Sequence, residues 1–223
     1  MSDRSRFLGE RLRDALRVYV LTDRLLSKGR SEQEVVQAAL AGGATAIQLR
    51  WKTGSLREAV EVGRVLRDMC RTAGVLFVVN DRVDLALTLE ADAVHLGDED
   101  LPVPEARRIV GDRMIIGYSP STLVDAIQGE RLGADYLGVG PVYGTSTKLD
   151  AGEAVGTRRV AVVSRSVSIP VVGIGGINAD NAGAVIDAGA AGVAVISSVV
   201  AADDVREATS RLARSVRSAI GVE

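Results

Sequence analysis

Several short stretches carry side chains whose types and spacing suit work on a phosphorylated ligand. In IQLRWK, Gln48, Arg50 and Lys52 alternate with Leu49 and Trp51. A strand would send that amide, guanidinium and ammonium to one side, a set that matches phosphate oxygens and hydrogen-bonding edges. VVNDR supplies Asn80 and Asp81, and VHLGDED supplies Asp98, Glu99 and Asp100. Asp81 or Asp100 could simply cap a helix. Two carboxylates from neighbouring strand ends are also what Mg²⁺ uses when one or two protein oxygens and substrate phosphates hold it. GPVYGTSTKLDAG has no apolar period and offers the Thr145, Ser146 and Thr147 hydroxyls beside the Lys148 charge, a set suited to an anion and also ordinary for a solvated loop. In GIGGINADN, Gly175 and Gly176 let backbone approach a ligand, and Asn178 is placed to start a helix whose N–H groups face an anion. His95 is the only histidine, and a packed, hydrogen-bonded role is expected for it.

These residues need a scaffold that brings them together. Apolar runs near 17–22, 45–50, 76–80, 92–96, 114–117, 135–139, 170–174 and 192–196 read as strands, and segments of helical period fill the gaps. Ser31 with Glu34, and Ser55 with Glu58, have capping-box spacing at the head of two of those helices. Weaker helical segments cover 82–89, 103–110, 121–131, 155–166, 179–188 and 202–219. A faint repeat, in which GGATAIQLR, EADAVHLG, GADYLGVG and GAAGVAVIS each set a small segment before an apolar strand, points to paired units and closure. The expectation is an α/β chain forming one (β/α)8 TIM-barrel domain over about 17–219, with residues 1–16 as a short N-terminal helical extension. An open dinucleotide-binding sheet lacks its G-x-G-x-x-G after the first strand. In a barrel the site lies where the strands end, and loops after the seventh and eighth strands commonly seat a phosphate. That places Gly175, Gly176 and Ser197 on one phosphate, with the loop at 140–152 beside them.

With 223 residues, 47% hydrophobic and 25% charged, the chain can bury a substantial core. Its 27 basic and 29 acidic residues leave a formal charge of −2 with no dense basic stripe. No nucleic-acid partner and no membrane partner is therefore expected. The lone Cys70 fits a reducing compartment, and the charged start MSDRSRFLGERLRDAL lacks a signal-peptide core, so a cytoplasmic location is expected. Small-molecule substrates are the expected partners. Homo-oligomerisation is left open.

In order along the chain, Gln48–Lys52, Asn80–Arg82, His95–Asp100, Gly117–Ser119, Thr145–Lys148 and Gly175–Ile177 resemble the motifs of thiamine phosphate synthases, over nearly the whole sequence. The resemblance implies an enzyme that joins 4-amino-2-methyl-5-hydroxymethylpyrimidine diphosphate to 4-methyl-5-hydroxyethylthiazole phosphate, or its carboxylated form, releasing pyrophosphate. It implies a pyrimidine diphosphate held by Gln48, Leu49, Arg50, Trp51, Lys52, Asn80, Ser119 and Lys148. It further implies Mg²⁺ on Asp81 and Asp100, and the thiazole phosphate on Thr145, Ser146, Thr147, Gly176, Ile196 and Ser197. Catalytic roles fall to Arg50, Lys148 and Ser119. Three positions depart from the family pattern. Trp51 stands where Glu is common and removes a carboxylate partner for nearby cations. Asp98 stands for Gln and adds charge beside the metal, and Tyr118 replaces a small residue, which would narrow the site. The alternatives are a thiazole tautomerase, whose Gly-x-Ser segment is followed by a histidine that GYSPST lacks, and a non-catalytic phosphate-binding protein of the thiamine pathway.

Overall fold

A computed structural model describes residue 7 and residues 9–145 and 153–221. Eight parallel strands close into a barrel in sequence order: β1 (Val18–Leu21), β2 (Ala46–Leu49), β3 (Leu76–Asn80), β4 (Ala93–Leu96), β5 (Ile115–Tyr118), β6 (Tyr136–Val139), β7 (Val171–Ile174) and β8 (Gly192–Val195). The ring closes through Val18 opposite Val193 and Val20 opposite Val195. Each strand lies where an apolar run was expected.

Alternation along these short strands builds two cores. Tyr19, Leu21, Ala46, Leu76, Val78, Ile115, Tyr136 and Val172 fill the barrel, while Val20, Ile47, Leu49, Phe77, Val79 and Val94 face the surrounding helices. The helices are α1 (Glu10–Ala15), α2 (Glu32–Ala41), α3 (Leu56–Ala73), α4 (Val83–Thr88), α5 (Val103–Val110), α6 (Leu123–Arg131), α7 (Gly156–Ser166), α8 (Ala182–Asp187), α9 (Ser197–Val200) and α10 (Val205–Ile220). Phe7, Leu12, Ala15 and Leu16 join the interior core. Since they precede β1, α1 stoppers the end of the barrel opposite the strand C-termini.

Side-chain caps set the starts of four of these helices, α2, α3, α6 and α10. Ser31 and Glu34 form the expected reciprocal capping box ahead of α2. At α3 only half of that device exists: Ser55 Oγ accepts from Glu58 N, but the Glu58 carboxylate turns to Arg24 Nη2 at 2.6 Å. A charge-assisted bond outcompetes the weaker return bond to the cap. Asp204 caps α10 by accepting from Glu207 N at 2.9 Å. The helix expected to begin at Asn178 begins instead at Ala182. Asn178 Oδ1 accepts from Asp180 N, and Asn181 Oδ1 accepts from Asn178 N, so both amides are spent on a turn. The four-residue α9 was not expected, because so short a segment has no readable period.

Candidate active site at the C-terminal mouth

The strand C-termini collect the polar residues, and Gln48, Arg50, Lys52, Asp100 and Ser119 each meet a specific neighbour. Gln48 is 1% exposed and lies inside the barrel, where its Nε2 donates to Tyr19 Oη at 2.6 Å. Beyond Leu49 the strand ends and the expected common direction splits. Arg50 Nη1 meets Asp23 Oδ2 at 2.5 Å, and Asp23 Oδ1 accepts from Leu25 N and Leu26 N. The acid is thus pinned by its own turn before it pins the guanidinium. Lys52 reaches forward to Asp81, Nζ to Oδ2 2.6 Å. The Leu49 side chain packs outward in the strand–helix core, so only its main chain faces the mouth.

Asp81 adopts φ 62°, the left-handed region that Asp tolerates better than most residues, and its N–H donates to His95 O at 2.8 Å. That twist carries its carboxylate toward Asp100, which accepts from Gly97 N at 2.7 Å. Burial, and then the hydrogen-bonded Asp81 carboxyl beside it, raise the Asp100 pKa, while the Gly97 N–H opposes them. The two acids therefore converge from adjacent strands, with Lys52 alongside. Asn80 stands at the end of β3 in register with His95. His95 Nε2 lies 2.8 Å from Ser119 Oγ and Nδ1 lies 2.9 Å from Tyr136 Oη. The histidine is hydrogen-bonded, as expected, to a serine that sequence distance concealed.

Around the ring, the segment after β6 is laced to the one after β7: Val142 N donates to Ile174 O, and Tyr143 N to Gly175 O. Gly176 has φ 65°, and a Cβ there would come within 2.6 Å of Gly144 O, so glycine is required for this approach. Asn181 Nδ2 donates to Gly176 O at 3.0 Å. Thr145 follows this laced segment, and Ile196 leads directly into α9 at Ser197. Ser146, Thr147 and Lys148 lie outside the described residues.

The three departures have physical accommodations. Arg24 stacks over the Trp51 ring, its Cζ 4.5 Å from the centroid, and binds Glu32 and Glu58. Carboxylates from two helix starts thus supply what Trp51 lacks. Tyr118 does not narrow the barrel, because alternation turns Gly117 inward and Tyr118 outward against Gly129, whose Cβ would sit 2.7 Å from its ring. Asp98 accepts from the Tyr118 hydroxyl, so the added charge is drawn into that pair. Asp23, Arg24, Tyr19 and Tyr136 were not singled out from the sequence. Only the polar TDR run after the first strand could have marked the first two.

A family model described as thiamine monophosphate synthase matches residues 18–199. A thiamine-phosphate synthase of Moorella thermoacetica is 52% identical over 204 residues, covering 92% of this chain and 97% of that protein. One of Haloarcula marismortui is 52% identical over 202 residues, covering 89% and 96%. The solved thiamine phosphate pyrophosphorylase of Pyrococcus furiosus superposes with a TM-score of 0.88 at 47% identity, covering 94% of this chain and all of that one. With carboxylates, cations and close-approach glycines gathered at one barrel mouth and this likeness running nearly end to end, the chain belongs to the thiamine monophosphate synthase family.

Proposed function

We propose that this chain is a transferase that condenses 4-amino-2-methyl-5-hydroxymethylpyrimidine diphosphate with a 4-methyl-5-hydroxyethylthiazole phosphate, giving thiamine phosphate and pyrophosphate. The observation that carries the reading is the convergence of Asp81 and Asp100 at the same mouth as Arg50 and Lys52. Two carboxylates that converge from adjacent strand ends, one of them with its pKa raised by burial, form an oxygen-donor set that fits Mg²⁺. Held there, Mg²⁺ would supply positive charge against the diphosphate.

The chain's own residues do the rest. Arg50, fixed by Asp23, presents a guanidinium whose remaining N–H groups suit phosphate oxygens. Lys52 adds a second cation, and the role read for Lys148 from its motif is a third charge for the departing pyrophosphate. Charge developing on that leaving group meets donors already in place, which is where electrostatic catalysis acts. The pyrimidine carbon is then attacked by the thiazole nitrogen, and no protein nucleophile is needed. Gln48, Asn80 and Ser119 orient the pyrimidine. Thr145, Ser146, Thr147, Gly176, Ile196 and Ser197 seat the thiazole phosphate, using hydroxyls and the glycine-opened backbone, so that the nitrogen meets the carbon in line.

Incubating both substrates with Mg²⁺ should release pyrophosphate in step with thiamine phosphate. Chelator or Asp81→Ala should abolish this while thiazole phosphate still binds. Binding without product under every metal condition would overturn the reading.

A further inference from the structure

The barrel interior holds one feature that this chemistry does not require: a continuous line of hydrogen bonds across it. Gln48 Nε2 donates to Tyr19 Oη at 2.6 Å, Tyr19 Oη lies 3.0 Å from Tyr136 Oη, Tyr136 Oη lies 2.9 Å from His95 Nδ1, and His95 Nε2 lies 2.8 Å from Ser119 Oγ. Both ends are residues assigned above to the pyrimidine. The middle is buried: Tyr19 is 2% and Tyr136 0% exposed. Space for it is made by two inward glycines. A Cβ at Gly117 would fall 2.2 Å from Tyr136 Cζ, and one at Gly138 would fall 3.0 Å from Ser119 Oγ.

The protons in this line can be counted. Burial raises both phenol pKa values, so each hydroxyl keeps its one proton and must place it. Tyr19 accepts from Gln48 and donates to Tyr136. Tyr136 then donates to His95 Nδ1, which puts the proton of the neutral imidazole on Nε2, facing Ser119 Oγ. If Tyr136 donated to Tyr19 instead, the Tyr19 proton would face no acceptor in a buried core, a costly state. The direction set at Gln48 therefore runs through to Ser119, whose own O–H is left to point away from His95. At the other end Gln48 Oε1 is buried and has no partner. The line thus ends in one open acceptor and one open donor.

We propose that Tyr19, Tyr136 and His95 are positioning residues that lock Gln48 as an acceptor and Ser119 as a donor, and so select an aminopyrimidine over its oxo counterpart. This rests on the pyrimidine reading above. An exocyclic amine donates to Gln48 Oε1 and a ring nitrogen accepts from Ser119. An oxo-pyrimidine offers a carbonyl and a ring N–H, so it meets acceptor with acceptor and donor with donor unless every proton in the line reverses. Sites built on buried polar groups discriminate strongly, because the wrong ligand leaves those groups unpaired.

The experiment uses the full-length chain with Mg²⁺ and no thiazole. The aminopyrimidine diphosphate, its 4-oxo counterpart and inorganic pyrophosphate are titrated in turn. The chain with its native residues is expected to favour amino over oxo by roughly 100-fold or more. Tyr136→Phe removes one hydroxyl and is expected to cut that ratio about tenfold, with pyrophosphate affinity unchanged as the check on folding. Should Tyr136→Phe not fold, Tyr19→Phe interrupts the line one link earlier. Because His95 is the only histidine, ¹⁵N-histidine labelling gives its ring nitrogens without assignment, and the Nε2–H tautomer is expected. An Nδ1–H or doubly protonated ring, or an unchanged ratio in a folded Tyr→Phe variant, would overturn the proposal. Failure to make thiamine phosphate with intact amino/oxo discrimination would instead count against the enzymatic reading alone.

Discussion

Gly117→Ala and Gly138→Ala make a graded pair whose outcome is set by distances. Neither glycine has a positive φ, so alanine suits the backbone and restricts the unfolded chain, a gain of about 0.4–1 kcal/mol. At Gly117 the new methyl would sit 2.2 Å from Tyr136 Cζ and 2.4 Å from His95 Nδ1, well inside contact distance of a fully buried phenol ring and a half-buried imidazole. Overpacking of that kind costs about 1–3 kcal/mol, and the broken Tyr136–His95 bond leaves a buried donor at about 1–3 kcal/mol more. The net expectation is about 3 kcal/mol, which for a chain of this size lowers Tm by roughly 6–12 °C. At Gly138 the nearest atoms are Ser119 Oγ at 3.0 Å and His95 Cε1 at 3.2 Å. Shifts of a few tenths of an ångström relieve that contact, so its stability change should stay within about 1 kcal/mol, while KM for the pyrimidine rises as Ser119 is displaced. Differential scanning calorimetry and urea unfolding read the first, and steady-state kinetics the second. A Gly117→Ala protein melting within about 2 °C of the parent would refute the packing argument.

Arg107 donates to Gly111 O, Met114 O and Gly133 O and pairs with Asp135 at 2.6 Å. Arg107→Leu should therefore cost about 3–5 kcal/mol in urea unfolding with little change in KM, since this cluster lies at the N-terminal ends of β5 and β6, away from the mouth. Burial pushes the Cys70 thiol from 9.0 up to about 12, so thiol reagents should label it only in denaturant. The native fold holds that proton more tightly than the unfolded chain does. The stability this confers is complete below about 9 and is lost as pH climbs toward about 12, and Cys70→Ala should flatten that limb of the curve. Trp51→Ala removes the ring beneath Arg24 and should lower stability by about 1–3 kcal/mol, read by the same unfolding assay.

The barrel was legible because each strand is a short apolar run bounded by turn residues, and no charged residue interrupts Leu76–Val79 or Ile115–Gly117. The mouth was legible because polar residues follow those runs at once. What stayed hidden were partnerships across the ring. Tyr19 and Tyr136 lie 117 positions apart, and each reads alone as a strand aromatic. Glu58 looked like half of a capping box until Arg24, 34 positions away, claimed it. Tyr118 looked like an obstruction because only the pleat decides which side of β5 it occupies.

The stopper made by α1 imposes an order on assembly. Phe7, Leu12 and Leu16 precede every strand of the barrel, yet the core they join contains Ala194 from the last strand, so that core is not whole until the ring is complete. Protection of that leading segment from a protease accordingly reports closure of the whole cylinder, at a point distant from any ligand.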